Sequence, residues 1–265
     1  MRTIVTLDEL SHTYSDNHGN SYQSVSAFLG MFQKKFDREN ISKMSAAKAG
    51  VSQEEILAVW DRKRDDSIDH GNRIHNSLES YMKTTQVLDG SEDLLPLCKS
   101  IAGEYSKYYR TYQEEILSSE EHLLAGKTDN RFQHTSSKNS VISFGDFKTN
   151  LSNGIQYENK YGQYMLGPLS HLQDCNFNKY ALQLSTYAYL HQLATGAKIG
   201  NLHILFIPPE DFLSWRKIYV PYMKIEVENM LLFRKNVPII TWEKPATEVK
   251  QKSAINNWGN SEWDM

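Results

Sequence analysis

The pattern of apolar and polar positions changes period along the chain. Residues 3–24 alternate loosely around the polar cluster SDNHGN, which predicts a hairpin. Helical spacing then takes over, with Ser26 as the expected cap of a short helix through Phe36 and a second helical piece running to Gly50. The stretch SQEE at 52–55 has the form of a capping box, in which Ser and Glu each satisfy the other's backbone N–H. It opens a helix with Ile56, Leu57 and Trp60 on one face. The charged run DRKRDD interrupts that face, and helical spacing resumes at Ile68, Ile74, Leu78 and Tyr81. After the loop TTQVLDGSED, a helix is predicted over 93–112. It carries Leu94, Leu97, Ile101 and Tyr105 on one side and is extended by Tyr108, Tyr109 and Tyr112.

Beyond this point the period shortens. EILSSEEHLLAGKTDNRFQHT reads as two strands or one long bent strand, and SVISFGDFKTN as a further strand. Residues 150–177 are irregular and rich in Gly, Asn and Tyr, as expected of a mobile loop. A strong helix over 178–195 is closed by Gly196, NLHILFIPP is a buried strand stopped by a Pro pair, SWRKIYVP is another strand, and 221–235 is an amphipathic helix. The order from residue 67 is helix, three strands, helix, strand, which predicts a mixed α/β core with helical additions before it. The expected organisation is a single domain over 1–245. It divides into an N-terminal hairpin and helices (1–66), a core (67–210) and a C-terminal strand and helix (211–245). A polar tail over 246–265 has little to bury except Trp258 and Trp263 and is expected to be loosely ordered.

Composition narrows the class. The chain has 265 residues, 40% of them hydrophobic, with a formal net charge of −3. No apolar run approaches the ~18 residues of a membrane span. The opening MRTIVTLDEL lacks the basic region and apolar core of a signal peptide. A cytoplasmic protein with no membrane partner is expected. Its two cysteines, Cys98 and Cys175, cannot build a disulfide framework, nor an iron–sulfur cluster, which typically takes four thiolates. The net charge does not announce a nucleic-acid binder, but a local basic stripe is compatible with it.

Four short pieces carry candidate chemistry. In VISFGDFKTN, an apolar strand ends in Asp146, Phe147 and Lys148. Side chains two apart on a strand share a face, so Asp146 and Lys148 sit side by side, as a strand-end ion pair or as half of a metal-dependent active site. Asp-x-Lys is common, and Asp61-Arg-Lys63, Glu158-Asn-Lys160 and Glu248-Val-Lys250 have the same form, but only Asp146 and Lys148 follow an apolar strand. In LLAGKTDNRF, Asp129 ends an extended stretch, either as a turn residue or as a second carboxylate beside Asp146. Two carboxylates share a small space cheaply only when a cation neutralises them. A hard ion such as Mg²⁺ is held by one or two carboxylates and keeps several waters. In HGNRIHNSLESYM, Gly71, His75 and Glu79 lie along one helix face, Gly71 admitting another backbone and Glu79 suited to pairing with a basic neighbour. In YALQLSTYAYLH, Gln183 and Tyr187 are one turn apart.

Taken together, the Gly-xxx-His helix, the strand Asp, the strand Asp-x-Lys and the following Gln-xxx-Tyr helix resemble the PD-(D/E)XK nuclease superfamily. Within it they are most similar to the RecB-like branch, which includes phage-encoded exonucleases and mitochondrial genome maintenance exonucleases. The resemblance spans roughly residues 70–208, with a weaker match in HTYSDNHGNSYQSVSAFL, and implies a restriction-endonuclease-like core. It implies Mg²⁺ or Mn²⁺ held by Asp129, Asp146, His75 and the Phe147 carbonyl, with Lys148 positioning water and stabilising negative charge. Gln183 and Tyr187 would support the site and contact DNA, and Glu121, or equally Glu120, would stand ahead of the Asp strand. The third motif is Asp-x-Lys where many members have Glu-x-Lys. Arg73, Thr149, Tyr157, Lys160 and Tyr161 are candidate DNA contacts, the 157–164 stretch as a substrate-facing flap. The implied activity is metal-dependent DNA hydrolysis, from single- or double-stranded ends as an exonuclease in phage-type replication, recombination or repair. The alternatives are a structure-specific or nicking endonuclease and a non-catalytic nucleic-acid-binding protein. A replication or recombination protein could dock on the C-terminal tail.

Overall fold

The tight turn at residues 120–123 sets the architecture, folding β4 (Tyr109–Ser119) back onto β5 (Leu124–His134) as a long antiparallel hairpin. In this computed structural model, residues 3–135, 141–149 and 154–236 are described. The tail expected over 246–265, with Trp258 and Trp263, lies outside them. Before the hairpin come β1 (Val5–Asp8), β2 (Thr13–Asp16) and β3 (Ser21–Ser24). They form an antiparallel meander rather than the single hairpin expected, because the SDNHGN turn is preceded by a second turn at Glu9–His12.

Three helices follow: α1 (Val25–Gly30), α2 (Arg38–Ala49) and α3 (Gln53–Thr84). The cap of α1 is Ser24, whose hydroxyl accepts from the Ala27 N–H at 3.1 Å, and not Ser26. The capping box forms as expected, with Ser52 N–H donating to Glu55 at 2.8 Å and Glu55 N–H to the Ser52 hydroxyl at 3.2 Å. From there α3 runs unbroken for 32 residues. The charged run that looked like an interruption is its solvent face, stitched by Arg64 and Arg38 to Asp61 at 2.6 and 2.7 Å.

Helix α4 (Leu95–Ser106) ends earlier than its pattern suggested. Tyr109 and Tyr112 belong to β4, where they pair with His134 and Arg131, so the tyrosine run straddles a helix end and a strand start. The remaining elements are β6 (Val141–Lys148), α5 (Asn176–Thr195), β7 (Lys198–Phe206), β8 (Arg216–Val220) and α6 (Lys224–Asn236). Gly196 closes α5 in the left-handed region at φ 68, which favours Gly.

β6 pairs antiparallel with β5 and parallel with β7, α5 being the crossover, and β8 closes that edge antiparallel to β7. The fold is therefore mixed α/β, an open mixed sheet with helices on both faces. One face packs Phe144 and Ile204 against Val25, Leu182, Ala188 and Val227 of α1, α5 and α6. The other packs Phe147 and Leu205 against Ile74, Leu78, Leu97 and Ile101 of α3 and α4. β6 is thus covered on both sides, which explains its continuous apolar run. Among the described residues no helix is long and apolar enough to cross a membrane.

Candidate active site

β4 lines the whole of one edge of β5, so β3 and β6 must share the other edge. β3 takes Leu124 and Ala125, and β6 takes Asn130 to Gln133. Residues 126–129 between them have no partner strand on that edge among the described residues. Beyond Gly145, β6 leaves β5 while still following β7 as far as Lys148. The Asp129 carboxylate spans the widening gap, accepting from the Phe147 N–H at 2.9 Å. A side chain thus replaces a ladder hydrogen bond, and Asp129 and Asp146 come to face the same opening. Helix α5 closes down on it: a Cβ at Gly126 would lie 2.7 Å from the Tyr187 ring, closer than packed atoms approach.

Asp146 and Lys148 are nearly fully buried and form an ion pair at 2.5 Å. Burial opposes the Lys148 charge, but Asp146, Tyr180 and Asp129 together more than offset this, so its pKa is raised and the ammonium persists. The Lys148 Nζ also lies 4.7 Å from the centre of the Tyr180 ring, in the first turns of α5. Asp129 is pushed well above the ordinary carboxylate range by burial, then by the Asp146 and Glu114 charges. Two carboxylates against one ammonium leave an excess of negative charge, and Asp129 bears its cost.

His75 projects from α3 into the same opening, its ring edge-on to Phe147. Burial, and then Lys148, lower its pKa to about 4, so the imidazole is neutral. Its Nε2 lies 3.0 Å from the Phe147 carbonyl and its Nδ1 3.5 Å from Asp129 Oδ2. A neutral imidazole has one N–H. Given to the carbonyl, it leaves a nitrogen lone pair facing a carboxylate; given to the carboxylate, it leaves a lone pair facing the carbonyl. A proton or a metal ion resolves either mismatch. The donor types at hand, two carboxylates, an imidazole and a carbonyl, suit a divalent cation such as Mg²⁺ or Mn²⁺. Among the described residues, however, no three His, Cys, Asp or Glu side chains already enclose a point where an ion would sit.

The remaining expected residues divide. Gly71 meets a side chain rather than the backbone expected, a Cβ there lying 3.3 Å from the Thr149 hydroxyl just after β6. Gln183 and Tyr187 are buried together, with the amide donating to the phenol oxygen at 3.4 Å, and burial followed by Asp146 raises the Tyr187 pKa well above its ordinary value. Glu79 pairs with Lys83 at 2.5 Å, and Arg73 is engaged by Asp93. Tyr157, Lys160 and Tyr161 are exposed, on a stretch that is held rather than loose. Asn159 anchors it, its amide donating to the Asp174 carbonyl at 2.7 Å and its side-chain oxygen accepting from the Tyr161 and Gln163 N–H groups.

Glu120 and Glu121 lie in the exposed β4–β5 turn before β5 begins, whereas Asp129 sits in the middle of β5 and not at the end of an extended stretch. The acid beside the site is instead Glu114, which was not singled out from the sequence. It stands opposite Asp129 between the pairs Gln113–Asn130 and Glu115–Thr128, itself unpaired, with φ at +56. A non-glycine residue in that region costs about 1–2 kcal/mol and is often found where a side chain must be re-aimed. Lys127 holds its carboxylate at 2.7 Å. Counting back along a hairpin from Asp129 through the 120–123 turn would have pointed to residue 114.

No family model matches the chain, and no curated protein matches it. Among solved structures that resemble it is a candidate exonuclease from Eubacterium rectale, 14% identical, covering 81% of each chain with a TM-score of 0.32. At that score the overlap is too loose to bear on activity.

Proposed function

We propose that this chain is a metal-dependent nuclease that hydrolyses phosphodiester bonds in DNA, working from DNA ends. The observation that carries the reading is the convergence of Asp129, in the middle of β5, and Asp146, where β6 leaves β5, beside the Lys148 ammonium. Asp129, Asp146, His75 and the Phe147 carbonyl would hold Mg²⁺ or Mn²⁺. When bound, the ion would supply Lewis-acid stabilisation of the phosphate and lower the pKa of a bound water.

The chain's own groups do the rest. Lys148, kept charged by Asp146, is a donor rather than a base: it orients water and meets negative charge developing on the phosphate oxygens. His75, neutral and braced on Phe147, presents a lone pair to the opening. Gln183 and Tyr187 brace the α5 wall. Water attacks phosphorus, the P–O bond to the leaving oxygen breaks, and a proton passes to that oxygen. The exposed Tyr157 and Tyr161 offer stacking faces for bases, which are sequence-tolerant contacts.

The test is cleavage of end-labelled linear single- and double-stranded DNA beside closed circles, in Mg²⁺, Mn²⁺ or chelator. Wild type is expected to degrade linear DNA only with metal and to spare circles. Asp146→Ala and Lys148→Ala should each lose about 10²–10³-fold in rate. Cut circles would point to an endonuclease. Inactivity on every substrate with intact DNA binding would reject catalysis.

A further inference from the structure

We infer that Arg216 binds a second phosphate of the nucleic acid, about three nucleotides along the chain from the one at Lys148, so that the site takes a polynucleotide strand rather than an isolated phosphodiester. This rests on the nuclease reading. Sheet register carries the argument. Lys148 of β6 pairs with Phe206 of β7, and Phe206 pairs with Arg216 of β8. Residues directly opposite across strands put their side chains on one face, so the three form a row on the α5 face of the sheet.

Two strand spacings separate the ends of the row, roughly 10 Å between backbones. A nucleic-acid strand places a charge every ~3.4 Å of helix axis, so this is the reach of about three nucleotides. The Arg216 guanidinium sits 5.3 Å from the centre of the Phe206 ring, which gives it a flat apolar seat. That ring is buried, and a Cβ at Gly154 would lie 3.5 Å from its tip. Arg216 is exposed, and it makes no ion pair with an acid among the described residues. By contrast, Arg38, Arg64, Arg73 and Arg131 are all engaged by carboxylates. The next residue, Lys217, points to the opposite face and pairs with Glu104 at 2.6 Å. A seated guanidinium on an exposed residue suits a planar fork for phosphate oxygens.

The experiment pairs two substrates with two variants. Bis(p-nitrophenyl) phosphate has one phosphodiester and no neighbour; an end-labelled oligonucleotide has several. Arg216→Met keeps an apolar cover over Phe206 and removes the charge, while Lys217→Met is the control on the other face. For Arg216→Met, KM for the oligonucleotide should rise about tenfold with kcat held. Hydrolysis of the small diester should be unchanged. In chelator, oligonucleotide binding should weaken by a similar factor, and the slope of log K against log salt should shrink by ~0.7. Equal binding and salt slopes for Arg216→Met and wild type would overturn the inference while leaving the nuclease reading standing. Loss of small-diester hydrolysis in Arg216→Met would also overturn it, by making the residue part of the core site. Wild type that binds DNA but cleaves neither substrate would reject the nuclease reading, and the binding arm would still decide the role of Arg216.

Discussion

Two histidines pack on the α3–α4 face of the sheet near β6, and they are alike in protonation but not in company. His75 faces Asp129 and the Phe147 carbonyl where β6 parts from β5. His203 of β7 is stacked against Tyr105 and Phe132, its Nε2 2.7 Å from the Tyr105 hydroxyl. Burial, the largest cause in both, lowers their pKa values to about 4 and about 3. A shifted histidine is therefore no marker of a site in this fold. What separates the two regions is the charge at the ring: one holds two carboxylates and an ammonium at an opening, the other is an aromatic stack whose nearby charge, on Lys217, is paired with Glu104. Gly145 shows how closed it is, since a Cβ there would lie 2.8 Å from both His203 and Phe132.

The largest expected difference is in activity. Asp146→Ala and Lys148→Ala should cost about 10²–10³-fold, whereas His203→Leu should leave kcat within about threefold, because the charge near His203, on Lys217, is already paired with Glu104. A large catalytic loss in His203→Leu would break the comparison.

Metal response should divide the regions next. An ion held a hundredfold above its Kd stabilises by about 2.7 kcal/mol. Mn²⁺ titration should therefore raise Tm in wild type and in His203→Leu, but not in Asp129→Ala. A rise of equal size in all three would place the ion elsewhere.

Stability should invert the order. Truncating His203 to Ala removes a packed ring and strands the Tyr105 hydroxyl, for a loss of about 1–3 kcal/mol in urea unfolding at pH 7. An unchanged midpoint would mean that the stack closes over the gap.

The smallest difference is a pH slope. His203 binds no proton in the folded chain above about 3, while the unfolded chain takes one up below about 6.5. Its contribution is present above pH 6.5 and is lost as pH falls toward 3, at up to ~1.4 kcal/mol per pH unit. The slope of unfolding free energy between pH 6.5 and 4 should flatten in His203→Leu, and an identical slope would show that His203 already titrates near its ordinary value.

Much of this was legible from residue types alone. The capping box at Ser52–Glu55, the Gly196 stop, the strand ending in Asp146 and Lys148, and the Gln183–Tyr187 turn all rest on interactions within a few residues, where local sequence dictates geometry. The misreadings have local causes too. The charged run 61–66 lacks apolar spacing, yet ion pairs to Asp61 keep α3 continuous. The tyrosines after Ser106 fit a helix face and a strand equally well, and pairing with β5 decided for the strand.

The sequence by itself determined the kinds of element, their order, and the pairs of side chains that share a face, because strand and helix periods are properties of the backbone. Only the tertiary structure decided which elements meet. It parted β5 from β6 so that Asp129 bridges the gap, chose Glu114 over Glu121 as the acid beside it, and aligned Arg216 with Lys148 across two strand pairings. Those relations join residues tens of positions apart, through sheet register and packing that no spacing along the chain encodes.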